Sequence, residues 1–239
     1  AAAAFPSLRV CPGGGAPFPL DVHRRWSEAT GLSITEGYGM TEIAPICVNT
    51  ESDGMQAGAA GKAVPDTVIE VVDIQTGETV LPSGDLGEIR VKGPHMMTGY
   101  TGNLEETATA IRDGFIYTGD IGLLDDAGFL IISDRKKDVI FVKGYNVFPR
   151  EIEEALLTHP AVSGACVVGR ADERAGEVPV AFLTLRSDIE PQDISVFLSE
   201  TLADYKLPAE FIPLEAFPMT PAAKVDRKTL RAQANEAAE

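Results

Sequence analysis

The sequence predicts a mixed fold, with α/β and α+β parts in three successive segments. The first segment, residues 8–35, follows the order strand, glycine turn, helix, strand. In the second, about residues 55–134, short apolar strands alternate with turn residues, which indicates a small antiparallel sheet or barrel. The third, residues 135–239, mixes helix and strand patterns and is long enough for a compact α+β domain.

The first segment carries only part of an α/β unit. A short apolar run at 8–11 precedes the glycine-rich turn at 12–17. Val22 and Trp26 lie on one helical face, and Gly31 is placed to end the helix. Because one helix and two short strands cannot complete a sheet, the segment is expected to belong to a larger α/β domain.

The second and third segments differ in their periodicity. Strands are predicted at 68–73, 88–92, 115–117 and 129–132, and then at 139–142, 162–168 and 178–185. Helices are predicted at 151–158, at the apolar stripe of Ile194, Leu198 and Leu202, and at 227–234. Strands dominate before residue 133 and helices appear after it, so a domain boundary is expected near Arg135.

Composition and charge limit the functions that the chain can have. With 44% hydrophobic and 23% charged residues, the chain should fold rather than remain disordered. Its net charge of −16 disfavours general binding to nucleic acid or to anionic membranes. No stretch approaches the ~20 apolar residues of a transmembrane helix, and the alanine-rich start lacks the pattern of a signal peptide. A cytoplasmic location is therefore expected, and the sequence is compatible with an oligomer.

Cysteines and histidines do not form a recognisable site. They are scattered along the chain: Cys11, Cys47, Cys166, His23, His95 and His159. The cysteines lack the spacing of a disulfide framework or of a metal site, so free buried thiols are expected. The histidines suggest neither zinc ligation nor a cysteine–histidine nucleophile.

One motif, at residues 37–42, combines groups that suit a nucleotide. Its two glycines, Gly37 and Gly39, allow tight backbone turns, and Tyr38 offers a flat ring to a base. The Thr41 hydroxyl can donate to a phosphate, and the Glu42 carboxylate can hold Mg²⁺. An ordinary loop with a capping threonine explains the same residues equally well.

Four further motifs have both a structural and a functional explanation. The glycine turn at 13–17 can approach a ligand closely, although no Lys-Ser or Lys-Thr follows it as in a P-loop. Asp120, just past a strand, can accept ribose hydroxyls or simply occupy a turn. Basic residues cluster at 135–150 around an apolar strand that ends at a glycine. Lys224 stands in a mobile-looking loop and, taken alone, reads as a surface lysine.

In their order, these motifs resemble the later motifs of the adenylate-forming ligases. That family comprises acyl- and aryl-CoA synthetases, luciferases and the adenylation domains of peptide synthetases. The resemblance covers essentially all 239 residues, and the matching stretches are 14–17, 38–42, 58–65, 87–100, 118–120, 134–138 and Lys224. Within the family, the chain looks most like bacterial fatty-acyl-CoA ligases.

The resemblance implies a domain organisation and an activity. Residues 1–134 would be the C-terminal remnant of a large α/β AMP-binding domain, with a small antiparallel β-barrel at about 55–134. Residues 135–239 would form the compact α+β C-terminal lid. The implied enzyme is an acid–thiol ligase, which converts a carboxylic acid and ATP to acyl-AMP and then to acyl-CoA.

The resemblance also implies residue roles in nucleotide binding. The residues concerned are Gly14, Gly15, Ala16, Tyr38, Gly39, Asp120 and Arg135. The glycine turn would line the adenine and acyl pocket, the tyrosine would stack on adenine, and the aspartate and arginine would hold the ribose.

The catalytic roles implied by the resemblance fall on both parts of the chain. Thr41 would contact the α-phosphate, Glu42 would hold Mg²⁺, and Lys224 would bridge the attacking carboxylate and the α-phosphate. Lys137 matches the hinge between the large domain and the lid. Gly144 would face the thiol channel after the lid swings to the second half-reaction.

The implied ligands are ATP or AMP, Mg²⁺, coenzyme A and a carboxylic acid, expected to be a medium- or long-chain fatty acid. The family's Ser/Thr/Gly-rich phosphate loop is not among these residues, so the missing N-terminal part of the enzyme is an expected partner. The fragment alone is expected to be inactive. An aryl-CoA ligase, an adenylation domain that loads a carrier protein, and a truncated non-catalytic binding module remain alternatives.

Overall fold

The computed structural model describes residues 7–15, 20–187, 189–221 and 224–236. The chain divides into two compact units, the first ending at Lys136 and the second beginning at Lys137. Assignment of these units to an AMP-binding domain and a lid stays a prediction. Within the described ranges, no helix combines the length and the apolar composition needed to cross a bilayer.

A four-stranded sheet opens the first unit. Its order is β1-β2-β3-β4, in which β1 and β2 are parallel and the other pairs are antiparallel. The strands and the connecting helix are β1 Cys11–Gly14, α1 Leu20–Thr30, β2 Ile34–Met40, β3 Ile43–Val48 and β4 Lys62–Ala63. Helix α1 ends as predicted, because Gly31 has φ of +73° and its N–H donates to the Ser27 carbonyl at 2.8 Å.

Two details of this sheet differ from the sequence prediction. The first strand begins at Cys11, where the predicted one ends, because Pro12 and the first two glycines continue the strand rather than breaking it. Gly37 and Gly39, expected in a turn, lie inside β2. A Cβ on Gly39 would lie 3.3 Å from the Ala44 Cα, so this glycine permits close packing of two strands.

A five-stranded antiparallel sheet completes the first unit and confirms the predicted small β-rich part. Its order is β5-β6-β8-β7, and β9 pairs with the second half of β8. The elements are β5 Val68–Val72, β6 Gly87–Lys92, α2 Leu104–Ala110, β7 Ile111–Arg112, β8 Phe115–Leu124 and β9 Leu130–Arg135. Helix α2 was not predicted, although Asn103 and Glu106 carry its signal: the Asn103 side chain accepts the Glu106 N–H at 3.1 Å.

The two sheets of the first unit share one core and meet at Gly61. Ile43, Ile46 and Cys47 of the first sheet are buried with Ile89 and Leu130, among others, of the second. The Leu130 N–H donates to the Gly61 carbonyl at 2.9 Å, while the other side of Gly61 faces strand β3. A Cβ on Gly61 would lie 2.1 Å from the Val48 carbonyl carbon.

Gly61→Ala is therefore expected to destabilise the first unit strongly. The clash is with backbone, and φ is +119°, so strain and overpacking together should lower the free energy of unfolding by about 2–6 kcal/mol. Fluorescence of Trp26, the single tryptophan, reports unfolding of this unit. Gly84→Ala is the control, since φ is +88° with open space around it, and should cost about 1–2 kcal/mol. Equal shifts for both variants would contradict the close approach at Gly61.

The second unit is a five-stranded sheet with helices on both faces. The order is β11-β10-β13-β12, and β14 adds a parallel strand to β13. The elements are β10 Ile140–Val142, β11 Tyr145–Val147, α3 Pro149–Leu157, β12 Val162–Asp172, β13 Gly176–Leu185, α4 Pro191–Ser199, β14 Glu210–Pro213 and α5 Arg227–Glu236. Strand alternation places Ala181 and Leu183 in the core under α3 and α4, and Val180 and Phe182 in the core under α5.

Candidate functional site

Three of the predicted nucleotide-binding residues meet at one carboxylate in the first unit. The Tyr38 hydroxyl donates to Asp120 Oδ2 at 2.5 Å, and Arg135 Nε lies 3.0 Å from Asp120 Oδ1. Asp120 is only 6% exposed, whereas the Arg135 side chain is 58% exposed. Strand pairing sets this cluster, because Arg135 of β9 lies directly opposite Asp120 of β8. The convergence does not follow from locality, since Tyr38 lies 82 positions before Asp120.

A bulge in β8 aims the Asp120 carboxylate. Tyr117 pairs with Arg90 and Ile121 pairs with Glu88, so residues 118–120 face Ile89 alone. Gly119 takes up the extra length at φ of +69°. Asp120, predicted just past a strand, therefore lies within one.

Thr118 closes this bulge. Its hydroxyl donates to the Ile89 carbonyl at 2.8 Å and accepts the Asp120 N–H at 3.1 Å. The Thr118 hydroxyl thereby satisfies one backbone carbonyl and one backbone N–H at the bulge. No separate role was predicted for Thr118, although its position directly before Gly119 and Asp120 could have indicated one.

The surroundings keep Tyr38 in its neutral form. Burial, followed by the negative charge of Asp120, raises the pKa of the Tyr38 phenol well above its ordinary value. The phenol therefore stays protonated and remains a hydrogen-bond donor. Cys47 lies opposite Tyr38 in β3, and burial raises the pKa of its thiol to about 12. The prediction of free thiols is confirmed, with Cys47 and Cys166 buried and Cys11 partly exposed.

The glycine turn lies beside the Tyr38 strand. Gly14 pairs with Gly37 in the parallel ladder, and a Cβ on Gly14 would lie 3.0 Å from the Gly37 carbonyl oxygen. Gly15 follows at φ of +82°. Ala16, the third predicted residue of this turn, lies outside the described residues. Gly14 and Gly15 are thus close to the start of the tyrosine motif, and their contact with a ligand stays a prediction.

Thr41 and Glu42 occupy the turn between β2 and β3. The Glu42 carboxylate accepts a hydrogen bond from the Tyr100 hydroxyl at 2.7 Å. The backbone carbonyl of Glu42 accepts one from the Met97 N–H at 2.7 Å. Thr41 is exposed. Sequence analysis did not identify Tyr100 as a partner of Glu42, because nothing in the sequence links positions 58 residues apart.

The Glu42 carboxylate is compatible with Mg²⁺ that is bound together with phosphate oxygens. No cluster of three or more metal-ligating His, Cys, Asp or Glu side chains occurs among the residues that the structure describes. Mg²⁺ commonly binds one or two carboxylates together with substrate phosphates and water, and a single glutamate suits that arrangement.

Lys136, the last residue of the first unit, forms a partly buried ion pair with a buried carboxylate. Its Nζ lies 2.7 Å from Glu88 Oε2, and Glu88 is 3% exposed. Lys137 opens the second unit, and its carbonyl accepts Arg231 Nη1 at 3.4 Å. The hinge role of Lys137 stays a prediction.

Gly144 forms part of a two-residue hairpin turn in the second unit. Lys143 has φ of +50° and Gly144 has φ of +86° between the paired strands β10 and β11. Positive φ at both central positions is typical of a type I′ turn. The Lys143 N–H donates at 2.7 Å to the carbonyl of Ala175, the residue just before β13. This hydrogen bond holds the turn against the start of β13. The place of Gly144 in a thiol channel stays a prediction.

Lys224 lies at an exposed position in a hairpin, where residues 218–220 pair with residues 224–226. The Thr220 N–H donates to the Lys224 carbonyl at 2.7 Å, and the Lys224 N–H donates to Thr220 Oγ1 at 3.2 Å. Below this pair, Met219 and Val225 form a bridge, and the Asp226 N–H donates to the Pro218 carbonyl at 2.8 Å. The backbone pairing across this segment could not be predicted from its proline and alanine composition, and the mobility of the loop stays a prediction.

Comparison with known proteins agrees with the fold. Residues 1–101 match the model of the AMP-binding enzyme, and residues 151–224 match that of the AMP-binding enzyme C-terminal domain. A 4-coumarate–CoA ligase 1 of Glycine max is 38% identical over 237 residues, which span 95% of this chain and 80% of the relative. The chain therefore belongs to the AMP-binding enzyme family, the adenylate-forming ligases.

Two further comparisons concern bacterial proteins. The long-chain-fatty-acid–CoA ligase of Bacillus subtilis is 37% identical over 233 residues, or 96% of this chain and 41% of the relative. ATP-bound MatB from Rhodopseudomonas palustris superimposes with a TM-score of 0.91 at 34% identity, over 97% of this chain and 46% of that one. The chain thus spans less than half the length of these two proteins. Adenylate-forming ligases use ATP, Mg²⁺ and coenzyme A.

Proposed function

We propose that this chain is the C-terminal part of an ATP-dependent acyl-CoA synthetase, which makes acyl-AMP and then acyl-CoA. The observation that carries the proposal is the convergence of Tyr38 and Arg135 on the buried carboxylate of Asp120. A buried carboxylate with a charged partner and an aromatic ring beside it supplies the groups that a ribose and a base require. Family membership supports the same proposal.

In nucleotide binding, each group of the cluster has a separate task. Asp120 accepts hydrogen bonds from the ribose hydroxyls, and Arg135 stabilises its negative charge. The Tyr38 ring stacks on adenine, and its hydrogen bond to Asp120 restricts the ring to one orientation. The exposed Thr41 hydroxyl donates to the α-phosphate.

In the first half-reaction, a carboxylate oxygen attacks the α-phosphorus of ATP. A new phosphorus–oxygen bond forms as the bond to the β-phosphate breaks, and pyrophosphate leaves. Two anions must approach each other, so positive charge is required. The Lys224 ammonium supplies it, and one charge pair at ~4 Å is worth about 4 kcal/mol at an effective dielectric of ~20. Mg²⁺ held by Glu42 and phosphate oxygens would neutralise further negative charge.

In the second half-reaction, the thiol of coenzyme A attacks the acyl carbon. A carbon–sulfur bond forms, the bond to AMP breaks, and the thiol proton passes to solvent. The leaving group is already activated, so this step does not need the Lys224 charge. We assign the thiol channel to Gly144 and the hinge that permits the change of state to Lys137.

We propose a long-chain fatty acid as the acid substrate and the cytoplasm as the location. Similarity to the Bacillus subtilis long-chain-fatty-acid–CoA ligase supports this choice of acid. The match to a 4-coumarate–CoA ligase favours an aromatic acid as the second candidate.

The test of the proposal measures acid-dependent ATP–pyrophosphate exchange in the complete enzyme that contains this chain. We expect exchange with a long-chain fatty acid at a kcat/KM about tenfold or more above that with 4-coumarate, since each buried CH₂ contributes about 0.8 kcal/mol. Consumption of coenzyme A should follow. A higher kcat/KM with 4-coumarate would show that the substrate is an aromatic acid rather than a fatty acid. Exchange with no acid of either kind would overturn the assignment as an acyl-CoA synthetase.

A further inference from the structure

Arg227, the residue that follows the Lys224 hairpin, forms an ion pair with Glu153. Arg227 Nη2 lies 2.7 Å from Glu153 Oε1 and 2.8 Å from Oε2, and Arg227 Nη1 donates to the Val167 carbonyl at 2.9 Å. Glu153 Oε1 also accepts the Val167 N–H at 2.7 Å. The Glu153 side chain is only 12% exposed, so these charge-assisted bonds form largely out of water.

These contacts join three elements at one point. Glu153 belongs to α3, Val167 to the middle of β12, and Arg227 is the first residue of α5. The hairpin stem, residues 218–221 and 224–226, therefore leads directly into a fixed position on the sheet. Its other end is also held, because Phe217 packs against the core beneath α5.

We propose that Arg227 and Glu153 are positioning residues for Lys224. The proposal rests on the catalytic role assigned to Lys224 under the proposed function. Lys224 stands three residues before Arg227, so the chain between them spans at most about 10 Å. The Lys224 side chain is long and exposed, so the position of its backbone limits where the ammonium can be placed.

Helix α3 offers a matched control in Glu151. Its two oxygens accept Lys206 Nζ at 2.6 and 2.7 Å, so it also forms a carboxylate–cation pair. This pair attaches the short 3₁₀ turn Asp204–Lys206 to α3. Glu151→Gln and Glu153→Gln thus remove the same charge from the same helix, two residues apart.

The first experiment measures amide hydrogen exchange in this 239-residue chain. In Glu153→Gln we expect exchange at the Thr220 and Lys224 amides to accelerate about 10- to 100-fold relative to Glu151→Gln, from loss of charge-assisted bonds. Arg227→Lys keeps the positive charge but loses the guanidinium that reaches both Glu153 and the Val167 carbonyl, and it replaces Glu153→Gln if that variant does not fold. Hydrogen exchange at the same two amides should accelerate in Arg227→Lys. Equal exchange at both amides in all variants would overturn the proposal.

The second experiment separates this proposal from the role of Lys224 itself. In the complete enzyme, Glu153→Gln should lower kcat for acyl-adenylate formation about tenfold, while thioester formation from supplied acyl-AMP stays at the level of Glu151→Gln. Lys224→Ala is measured alongside. If Lys224→Ala slows adenylation and Glu153→Gln behaves like Glu151→Gln, the positioning proposal is wrong. If Lys224→Ala has no effect, the catalytic role of Lys224 is wrong, and the positioning proposal fails with it even if the exchange experiment shows that the pair holds the hairpin.

Discussion

Lys224→Ala in the complete enzyme is expected to slow acyl-adenylate formation on the order of 10²–10³-fold, by analogy with loss of one oxyanion donor. The reason is electrostatic, because the ammonium offsets the repulsion between the attacking carboxylate and the α-phosphate. Attack of the thiol on the finished acyl-adenylate requires no such charge. Pyrophosphate exchange measures the first step, and consumption of coenzyme A with synthetic acyl-AMP measures the second.

Lys228→Ala provides the control for this experiment. Lys228 is also exposed and lies four residues further along, on the first turn of α5. Both half-reactions should stay within a few-fold of wild type in this variant, as expected for a surface lysine. Equal losses in the two half-reactions for Lys224→Ala would point to a shared binding or folding defect and would refute the assigned role.

Asp120→Asn is expected to weaken AMP binding by about 10- to 100-fold, the effect of losing hydrogen bonds to a charged group. The change preserves the side-chain shape but removes the charge that faces Arg135 and the second acceptor for ribose hydroxyls. Tyr38→Phe should have a smaller effect, since it removes only the hydroxyl that orients the ring. Calorimetry with AMP in the complete enzyme gives both affinities.

Asp113→Asn controls for the change of charge. Asp113 is exposed in the turn between β7 and β8, where its φ of +52° suits asparagine as well as aspartate. The Asp113→Asn variant of the complete enzyme should bind AMP with the same affinity as wild type. An Asp120→Asn variant that binds AMP as well as Asp113→Asn would exclude Asp120 from the ribose site.

Much of the fold could be predicted because local patterns were sufficient to specify it. Alternating apolar residues identified β5 and β6, and an apolar face at helical spacing identified α3. Strand β8 was predicted too short, because Gly119 resembles a strand end in sequence while the structure uses it as a bulge. Gly37 and Gly39 misled in the same way, since glycine signals conformational freedom but here serves close strand packing.

The candidate site required information that spacing does not contain. Nothing local links Tyr38 with Asp120 or Glu42 with Tyr100, because these pairs form only when separate strands and loops pack together. The order of the motifs suggested the first pair through resemblance to a family. The Arg227–Glu153 pair, across 74 positions, was visible only in the structure.

The most direct test of the central claim is a crystal structure of the complete enzyme with bound AMP. The nucleotide assignment requires the adenine ring against Tyr38 and the ribose hydroxyls within hydrogen-bonding distance of Asp120, about 2.5–3.2 Å. A structure in which AMP binds elsewhere, while Asp120 keeps only Tyr38 and Arg135 as partners, would contradict it.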